Sequence, residues 1–399
     1  MNVIREQYLK KVRPYYTKQL IKVITGQRRV GKSFLLRQIR DELKILFPKA
    51  NFLYIDKEKF EFDSISNYEG LIQWVKINTK RGKNFLFIDE IQDIKNFEKA
   101  LRSLLSDGKY DIYCTGSNSQ VFSGELATYL SGRQIEIRIH SLSFIEFILF
   151  HKLKFTMESL SLYMKYGGLP YLIHLPKNDE IVFDYLKNIY ATILYRDVIS
   201  RHQIRDTAFL ENLLYFLADN TGSIVSANKI SDYLKSQKAS KNVSVVINYL
   251  SFVEQAYFVN AVKRKEISGK RIFETGEKYY FEDIGLRNAI GGFKPDDIGK
   301  MLENVVYNQL RFMGYNVFVG KEGDKEIDFI AEKNGEYSYY QVAYLLSNEK
   351  VLNREFGNLQ IIKDNYPKYV ITMDELPLNT SYKGIKHLNL LKFLSLKEH

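Results

Sequence analysis

The sequence predicts an α/β fold in which helices cover both faces of a parallel sheet. Short apolar runs alternate with amphipathic stretches between residues 21 and 139, which is the spacing of strands and helices in such a sheet. A glycine-rich loop separates the first apolar run from the first amphipathic stretch. At 399 residues, the chain is long enough for two or three domains, each with its own core.

The apolar runs predicted to form strands cover residues 21–24, 51–55, 85–88, 111–114 and 135–139. Helical spacing predicts that the intervening helices cover residues 34–43, about 71–77 and about 97–105. In an open sheet of this type, ligands bind beyond the carboxyl ends of the strands. The loops that directly follow the strands are therefore the first places to search for a site.

The loop after the first strand reads GQRRVGKS and matches the phosphate loop of nucleoside triphosphatases, the P-loop. Gly26 and Gly31 fall where side chains would block the approach of backbone N–H groups to a polyphosphate. The positive end of the following helix then faces the anion. Lys32 is expected to bridge the β and γ phosphates, and the Ser33 hydroxyl to bind Mg²⁺. The residues predicted to contact the nucleotide are Gly26, Gln27, Arg28, Arg29, Val30, Gly31, Lys32, Ser33 and Phe34.

The alternative is a chance glycine turn before a helix, but strand, loop and helix are all in register here. Within the loop, Arg28 and Arg29 are expected to point to solvent or to a neighbouring subunit rather than to phosphate.

The third predicted strand ends in Asp89 and Glu90, as a Walker B element does. Asp89 is expected to hold the Mg²⁺ shell, and Glu90 to polarise the attacking water, which favours hydrolysis over phosphoryl transfer to a small acceptor. The alternative is a strand that ends in two solvated acids. Ser117 and Asn118 follow the next strand and are candidates to sense the γ phosphate or the water, or else form an ordinary polar turn.

The guanine-binding motif NKxD is absent, because its nearest match, residues 228–231, has serine in place of aspartate. ATP with Mg²⁺ is therefore the expected ligand. Arg133 precedes the fifth predicted strand and is a candidate arginine finger, acting within one chain or across the interface of a homo-oligomer. A surface arginine after a glycine turn is the alternative.

Composition describes an ordered globular protein, with 45% hydrophobic and 14% aromatic residues. The formal charge of +11 permits binding to nucleic acid without requiring it. Cys114 is expected to be a small core residue, and the scattered histidines give little support to a zinc site. Neither a signal sequence nor a membrane-spanning run is evident, so a cytoplasmic location is expected.

The pattern of predicted helices and strands divides the chain into four regions. We predict a P-loop core at 1–140, a helical lid or connector at 141–220, a winged helix at 221–294 and a small α/β domain at 295–399. The winged helix would offer either DNA or a protein partner a second helix and a basic wing. The basic residues near the tip of that wing are Lys263, Arg264, Lys265, Lys270 and Arg271.

Further short motifs occur in a fixed order after the Walker elements: TGSNS, LSGR, GGLP at 167–170, YRDV at 195–198 and YYFEDIGLRNAI at 279–290. With them, almost the whole chain resembles a family of predicted bacterial and archaeal AAA-like ATPases. Members of that family carry a carboxyl-terminal winged helix and a restriction-endonuclease-like domain. We expect an ATP-binding and ATP-hydrolysing switch that couples nucleotide state to a carboxyl-terminal module that binds a partner or DNA.

In the endonuclease-like domain, of PD-(D/E)xK type, the resemblance places a weak second metal site at Glu303, Asp328 and Gln341. The position of the catalytic lysine holds Ala343, and an amide replaces one acid, so nuclease activity is not expected. Lys325 and Lys333 have no spacing that supports them as substitutes. A nucleic-acid-binding protein with a regulatory ATPase and a metal-dependent nuclease remain the alternative functions.

Overall fold

The structure is a computed structural model, and it describes residues 3–119, 132–236, 242–269, 271–272, 276–375 and 381–396. The chain forms two compact units. Unit 1 comprises Met1–His140 and Gln255–Tyr257, and unit 2 comprises Ser141–Glu254 and Phe258–His399. No helix in the described ranges is both long enough and apolar enough to cross a membrane.

Unit 1 contains a five-stranded sheet, and every pair of neighbouring strands in it is parallel. The strands lie in the order β2-β3-β4-β1-β5, so the first strand is central and the chain crosses over between neighbours. Their bounds are β1 Ile21–Thr25, β2 Asn51–Asp56, β3 Asn84–Asp89, β4 Tyr110–Gly116 and β5 Gln134–Arg138. The predicted α/β class and all five predicted strands are confirmed.

Helices cover both faces of this sheet, as the alternating pattern predicts. On one face, Leu86 and Ile88 of β3 join a buried cluster with Leu71 and Leu101, which belong to the third and fourth helices. On the other face, aromatic side chains of the strands stack, and Phe85 contacts Phe47 just after the second helix. The helices are α1 Glu6–Val12, α2 Lys32–Leu46, α3 Tyr68–Asn78 and α4 Phe97–Ser106. Cys114 is fully buried in β4, as predicted.

Unit 2 begins with a helical region. Its first helix starts with a capping box, in which Ser143 and Glu146 each accept a hydrogen bond from the other's backbone N–H. The YRDV segment lies in a π-helical stretch, Ile193–Ser200, that continues the third helix of the region. The helices of this region are α5 Phe144–His151, α6 Met157–Tyr166, α7 Asp179–Thr192 and α8 Thr207–Asp219.

Two of the short motifs meet in unit 2. The Asp283 carboxylate accepts hydrogen bonds from the backbone N–H groups of Gly168 at 2.8 Å and Gly285 at 2.9 Å. A Cβ on Gly285 would lie 2.0 Å from the Tyr166 carbonyl oxygen, and a Cβ on Gly168 would lie 2.4 Å from that of Leu142. The glycines of GGLP and of FEDIGL are therefore required by close packing of backbone on backbone.

The segment predicted to be a winged helix contains two helices followed by antiparallel strands. Helices α9 Ala227–Ser236 and α10 Val243–Gln255 are followed by strands β6 Val259–Val262 and β8 Lys278–Phe281, which pair antiparallel. The predicted wing differs, because its strand β7 Arg264–Glu266 pairs in parallel with a strand of the carboxyl-terminal sheet. The segment expected to be a free basic hairpin thus belongs in part to another sheet.

The carboxyl-terminal sheet has seven strands in the order β13-β14-β12-β11-β10-β9-β7. One face of this sheet packs against α12, through residues such as Leu302 and Val306, and the other packs against α13, through Phe356 and Leu359. The strands are β9 Asn316–Glu322, β10 Lys325–Lys333, β11 Glu336–Val342, β12 Lys368–Thr372, β13 Ser381–Tyr382 and β14 Ile385–Asn389. The helices of this part are α11 Ile284–Gly291, α12 Ile298–Phe312, α13 Glu349–Gln360 and α14 Leu390–Leu394.

Candidate functional site

The loop between β1 and α2 has the backbone that a phosphate cradle requires. Gly26 and Gly31 have φ angles of 143° and 101°, in the region that favours glycine, and a Cβ on Gly26 would lie 2.4 Å from the carbonyl oxygen of Ile139. The Lys32 ammonium donates to the carbonyl oxygens of Gly26 at 3.2 Å and Gln27 at 3.1 Å, so the lysine lies inside the curve of the loop. Substitution of either glycine would strain the loop.

The residues around this loop fit a nucleotide with a divalent metal. Gln27 is fully buried, and neither polar atom of its side chain has a hydrogen-bond partner in the described part of the chain. Buried amides in proteins are almost always hydrogen-bonded, so this one fits a loop that a polar ligand completes. The Ser33 hydroxyl favours the ionised form of Asp89, which places the two expected metal ligands together. Phe34 is 57% exposed at the start of α2.

Glu90 is buried beside the loop and is held from several sides. One carboxylate oxygen lies 3.6 Å from the Lys32 ammonium, and the other accepts a hydrogen bond from the side-chain amide of Gln92. Burial favours the neutral acid, but the charges of Lys32 and Arg28 outweigh it and lower the pKa of Glu90 to about 2. Glu90 itself has a φ of 55°, a backbone conformation that is uncommon for residues other than glycine.

Thr115 links the two Walker B acids and was not singled out from the sequence. Its hydroxyl donates to the Asp89 carboxylate at 2.6 Å and accepts from the Glu90 backbone N–H at 2.8 Å. Burial nevertheless raises the pKa of Asp89 above its ordinary value. The sequence could have indicated Thr115, because this residue lies near the carboxyl end of β4, and β4 is adjacent and parallel to β3.

Of the two predicted sensor residues, the structure brings Ser117 to Glu90. Ser117 accepts a hydrogen bond from the Gln92 side-chain amide at 3.2 Å, and its hydroxyl also favours the ionised form of Glu90. Asn118 is buried next to it. Gln92 therefore connects a residue at the end of β4 with the acid at the end of β3, a connection that the sequence did not reveal.

Two arginines near the loop differ from expectation. Arg28 does not point to solvent: it is 4% exposed, contacts Glu58 at 3.4 Å, and its charge lowers the pKa of Glu90. Arg5, which sequence reasoning missed, is buried and donates to the carbonyl oxygens of Val30 and His140, each at 3.0 Å. Arg5 thereby joins the amino-terminal segment to the P-loop. Arg29 is exposed, as predicted.

Arg133 lies at the wrong end of the sheet to act on the P-loop of its own chain. Ile21, the first residue of β1, pairs with Gln134, whereas Thr25, which precedes the loop, pairs with Arg138. Arg133 is therefore separated from the loop by the full strand, roughly 16 Å. In a parallel sheet, a residue that precedes a strand lies opposite the ligand edge, so of the two actions left open for Arg133 the one within a single chain does not fit this geometry. Arg138, over the ring of Tyr257 at 4.7 Å, is the arginine of this strand at the loop edge.

Comparison with known proteins agrees with this geometry. Residues 18–148 match the family described as an AAA domain, and residues 157–297 match a domain family of unknown function. A protein of Haemophilus influenzae described as uncharacterized is 37% identical over 379 residues, covering 93% of each chain. An uncharacterized protein of Methanocaldococcus jannaschii is 34% identical and covers 78% of this chain and 71% of its own. The chain belongs to this family of AAA-like ATPases.

A Walker-type ATPase of Pyrococcus abyssi has a similar fold, with a TM-score of 0.53 and 13% identity. The similarity covers 72% of this chain and 95% of the archaeal one. The shared fold extends beyond the P-loop domain of this AAA-like ATPase, since unit 1 makes up much less than that share of the chain.

The residues predicted to form a second site of the AAA-like ATPase lie close together in unit 2, with Lys278 among them. Glu303 of α12 and Asp328 of β10 both contact the ammonium of Lys278, at 3.1 and 3.3 Å. Burial opposes the charge on Lys278, yet the groups around it raise its pKa above the ordinary value. Burial also raises the pKa of both carboxyls. Gln341 accepts a hydrogen bond from the backbone N–H of Asp328 at 3.4 Å.

The predicted basic wing is less available than expected. Lys265 is buried, and its ammonium contacts Glu332 at 3.1 Å and the Tyr337 hydroxyl at 3.2 Å, so it is not free for phosphate. Lys263 and Arg271 are exposed, and Lys270 lies outside the described residues. Leu130 and Ser131 of the LSGR motif also lie outside them.

Proposed function

We propose that this AAA-like ATPase binds ATP at the P-loop and hydrolyses it with Glu90 as the base. The observation that carries the proposal is the meeting of Lys32 and Glu90 at the loop, 3.6 Å apart. A phosphate-binding lysine and a carboxylate that can activate water are thereby placed at the same edge of the sheet.

Each residue has a role that its geometry supports. Lys32 lies among the carbonyls of its own loop, within reach of phosphate oxygens that bind to the loop N–H groups. Ser33 and Asp89 together offer the hydroxyl and carboxylate that hold Mg²⁺ in sites of this type. Bound with ATP, Mg²⁺ would supply charge neutralisation at the phosphate oxygens.

Glu90 is restrained by the same lysine that binds phosphate. With a pKa of about 2, Glu90 is ionised at neutral pH but is a weak base, because the Lys32 and Arg28 charges stabilise its anion. A triphosphate carries more negative charge than one carboxylate and competes for Lys32. Nucleotide binding therefore weakens the hold on Glu90 and increases its basicity, which couples activation of water to the presence of substrate.

Phosphate release from ATP and from GTP tests the proposal. We expect ATP to be preferred, and Glu90→Gln to lower the rate by ~100-fold or more, because the amide cannot take the proton. Glu61→Gln is the matched control, since Glu61 is an exposed acid of the same unit. A Glu90→Gln rate equal to that of the control would refute the role of Glu90.

For Arg133, an action across the interface of a homo-oligomer is the remaining role, because its own loop is out of reach. Hydrolysis per subunit should then rise with protein concentration as subunits associate, and Arg133→Ala should abolish that rise. A rate per subunit that does not change with concentration would exclude the finger.

We further propose that unit 2 transmits the nucleotide state to a partner, with DNA as the first candidate because of the charge of +11. Phosphate release with and without duplex DNA at physiological salt tests this, together with a gel shift of the triple variant Lys263→Ala, Arg264→Ala, Arg271→Ala. If DNA neither binds to the protein nor stimulates phosphate release, a protein is the next candidate partner.

A further inference from the structure

Lys278 lies at the centre of an acidic cluster in unit 2. Its ammonium lies 2.8 Å from a carboxylate oxygen of Glu326, 3.1 Å from one of Glu303 and 3.3 Å from one of Asp328. The lysine comes from β8, the glutamate at 303 from α12, and the other two acids from β10. Only 2% of the lysine side chain is exposed. Acids from two other elements therefore converge on one buried cation of β8.

Several of the oxygens that a metal would use at this place are engaged in other contacts. Asp328 directs its second oxygen to the backbone N–H of Val342 at 2.8 Å, and Gln341 directs its oxygen to the backbone N–H of Asp328. Glu303 also accepts from the Tyr280 hydroxyl at 3.0 Å. Within the described ranges, no three His, Cys, Asp or Glu side chains are arranged to hold a metal ion.

A buried ammonium is costly unless it is paired, and here three carboxylates pair it. A divalent metal would have to approach oxygens of Glu303 and Asp328 to ~2.0–2.6 Å. A metal on the oxygens that contact the ammonium would lie close to it, and two cations so close together repel strongly in a buried environment. The lysine therefore opposes metal binding at the cluster.

We propose that Lys278 is the resident cation of this cluster, that it excludes divalent metal from the site, and that removal of its ammonium opens a divalent-cation site. In the native chain the cluster is then a fixed ionic joint between β8 and the carboxyl-terminal sheet, and it has no metal-dependent nuclease chemistry. This inference does not rest on the proposed ATPase function.

Titration with Mn²⁺ in the absence of nucleotide tests the proposal, with free Mn²⁺ followed by electron paramagnetic resonance. The proteins compared are the native chain, Asp328→Asn, Lys278→Met, and the double variant of both changes. We expect the native chain and Asp328→Asn to bind Mn²⁺ alike, because any binding of Mn²⁺ at the P-loop is common to all four proteins. Lys278→Met should gain one site, ~10-fold or more tighter than any native site, and the double variant should lose it.

If the native chain has a Mn²⁺ site that Asp328→Asn removes, the proposal is overturned. It is also overturned if Lys278→Met folds but gains no Mn²⁺ site. Thermal unfolding provides the control for folding: Mn²⁺ should raise the melting temperature of Lys278→Met and leave that of the native chain unchanged. If Lys278→Met does not fold, the native and Asp328→Asn titrations still decide whether the native cluster binds metal. Plasmid cleavage with Mn²⁺ by the native chain, lost in Asp328→Asn, would also contradict the account and identify a nuclease.

Discussion

The Lys32 ammonium and the Glu90 carboxylate lie 3.6 Å apart, and both side chains are buried. The residue proposed to bind phosphate and the residue proposed to activate water therefore neutralise each other in this structure. A ligand that draws Lys32 to itself changes the environment of Glu90 at the same time. Nucleotide binding and the basicity of Glu90 therefore depend on the same ion pair.

Glu90→Gln should bind ATP more tightly than the native chain, in addition to being slow in hydrolysis. The amide no longer competes with phosphate for the Lys32 ammonium, so affinity should rise by roughly 5- to 10-fold. Calorimetry with Mg-ATP measures this change, with Glu61→Gln as the matched control. Equal or weaker affinity in Glu90→Gln would show that the pair does not oppose binding.

Gln92→Ala should lower the rate of hydrolysis by ~10-fold with little change in KM, because Gln92 orients Glu90 without reaching the nucleotide. Loss of its hydrogen bond also raises the pKa of Glu90 from about 2. Glu90 must be ionised to act as a base, so the acid limb of the pH–rate profile should move to higher pH. Gln73→Ala, on an exposed position of α3, is the control. An unshifted acid limb would leave Gln92 with a purely structural role.

Thr115→Val should weaken the binding of Mg²⁺ at the site that Asp89 is proposed to form. Without the hydroxyl, the Asp89 carboxylate loses a donor at 2.6 Å, and its pKa rises further above the ordinary value. Hydrolysis should then require a several-fold higher Mg²⁺ concentration. The rate as a function of Mg²⁺ tests this, and Thr79→Val, which removes a hydroxyl bonded to Val75, provides the control. An unchanged Mg²⁺ requirement would contradict the proposed link.

Asp283 should make the stability of the chain depend on pH. Burial raises the pKa of Asp283 to about 6, although the backbone N–H groups of Gly168, Leu286 and Gly285 favour its anion. Its folded-state pKa thus exceeds the ordinary value of 3.8, so ionisation favours unfolding and stability falls as pH rises toward about 6.

Between about pH 5 and 7, the native chain should lose roughly 1 kcal/mol of unfolding free energy relative to Asp283→Asn. Denaturant unfolding of both proteins at the two pH values measures the difference. Only the change with pH is predicted, because the amide also alters the hydrogen bonds to the motif glycines. A difference that is the same at both pH values would mean that Asp283 ionises normally.

The P-loop core could be predicted closely because its signals are local. The strands of unit 1 are short and rich in apolar residues, and the residues of the site follow the strand ends directly. The position of Arg133 was also predictable, since a parallel sheet places the start of β5 away from the loop. Strand direction alone could therefore have separated the two actions left open for Arg133, within one chain or across an interface.

Other features have no local signal. Strand β7 has three polar residues, Arg264–Glu266, and is defined by its pairing with β9, more than 50 residues later. Lys278 joins Glu303 and Asp328 from 25 and 50 positions away, so motif spacing cannot reveal it. Gln92 reaches Glu90 because Glu90 adopts a left-handed backbone conformation before a short 3₁₀ turn, Ile91–Asp93. These contacts depend on tertiary packing.

Binding of Mg-ATP by calorimetry tests the central claim most directly. The native chain should bind one ATP, Lys32→Ala should lose at least ~10-fold in affinity, and Lys59→Ala, an exposed lysine of the same unit, should bind like the native chain. Folded native protein that gives no binding heat, or Lys32→Ala that binds as tightly as the native chain, would contradict the account.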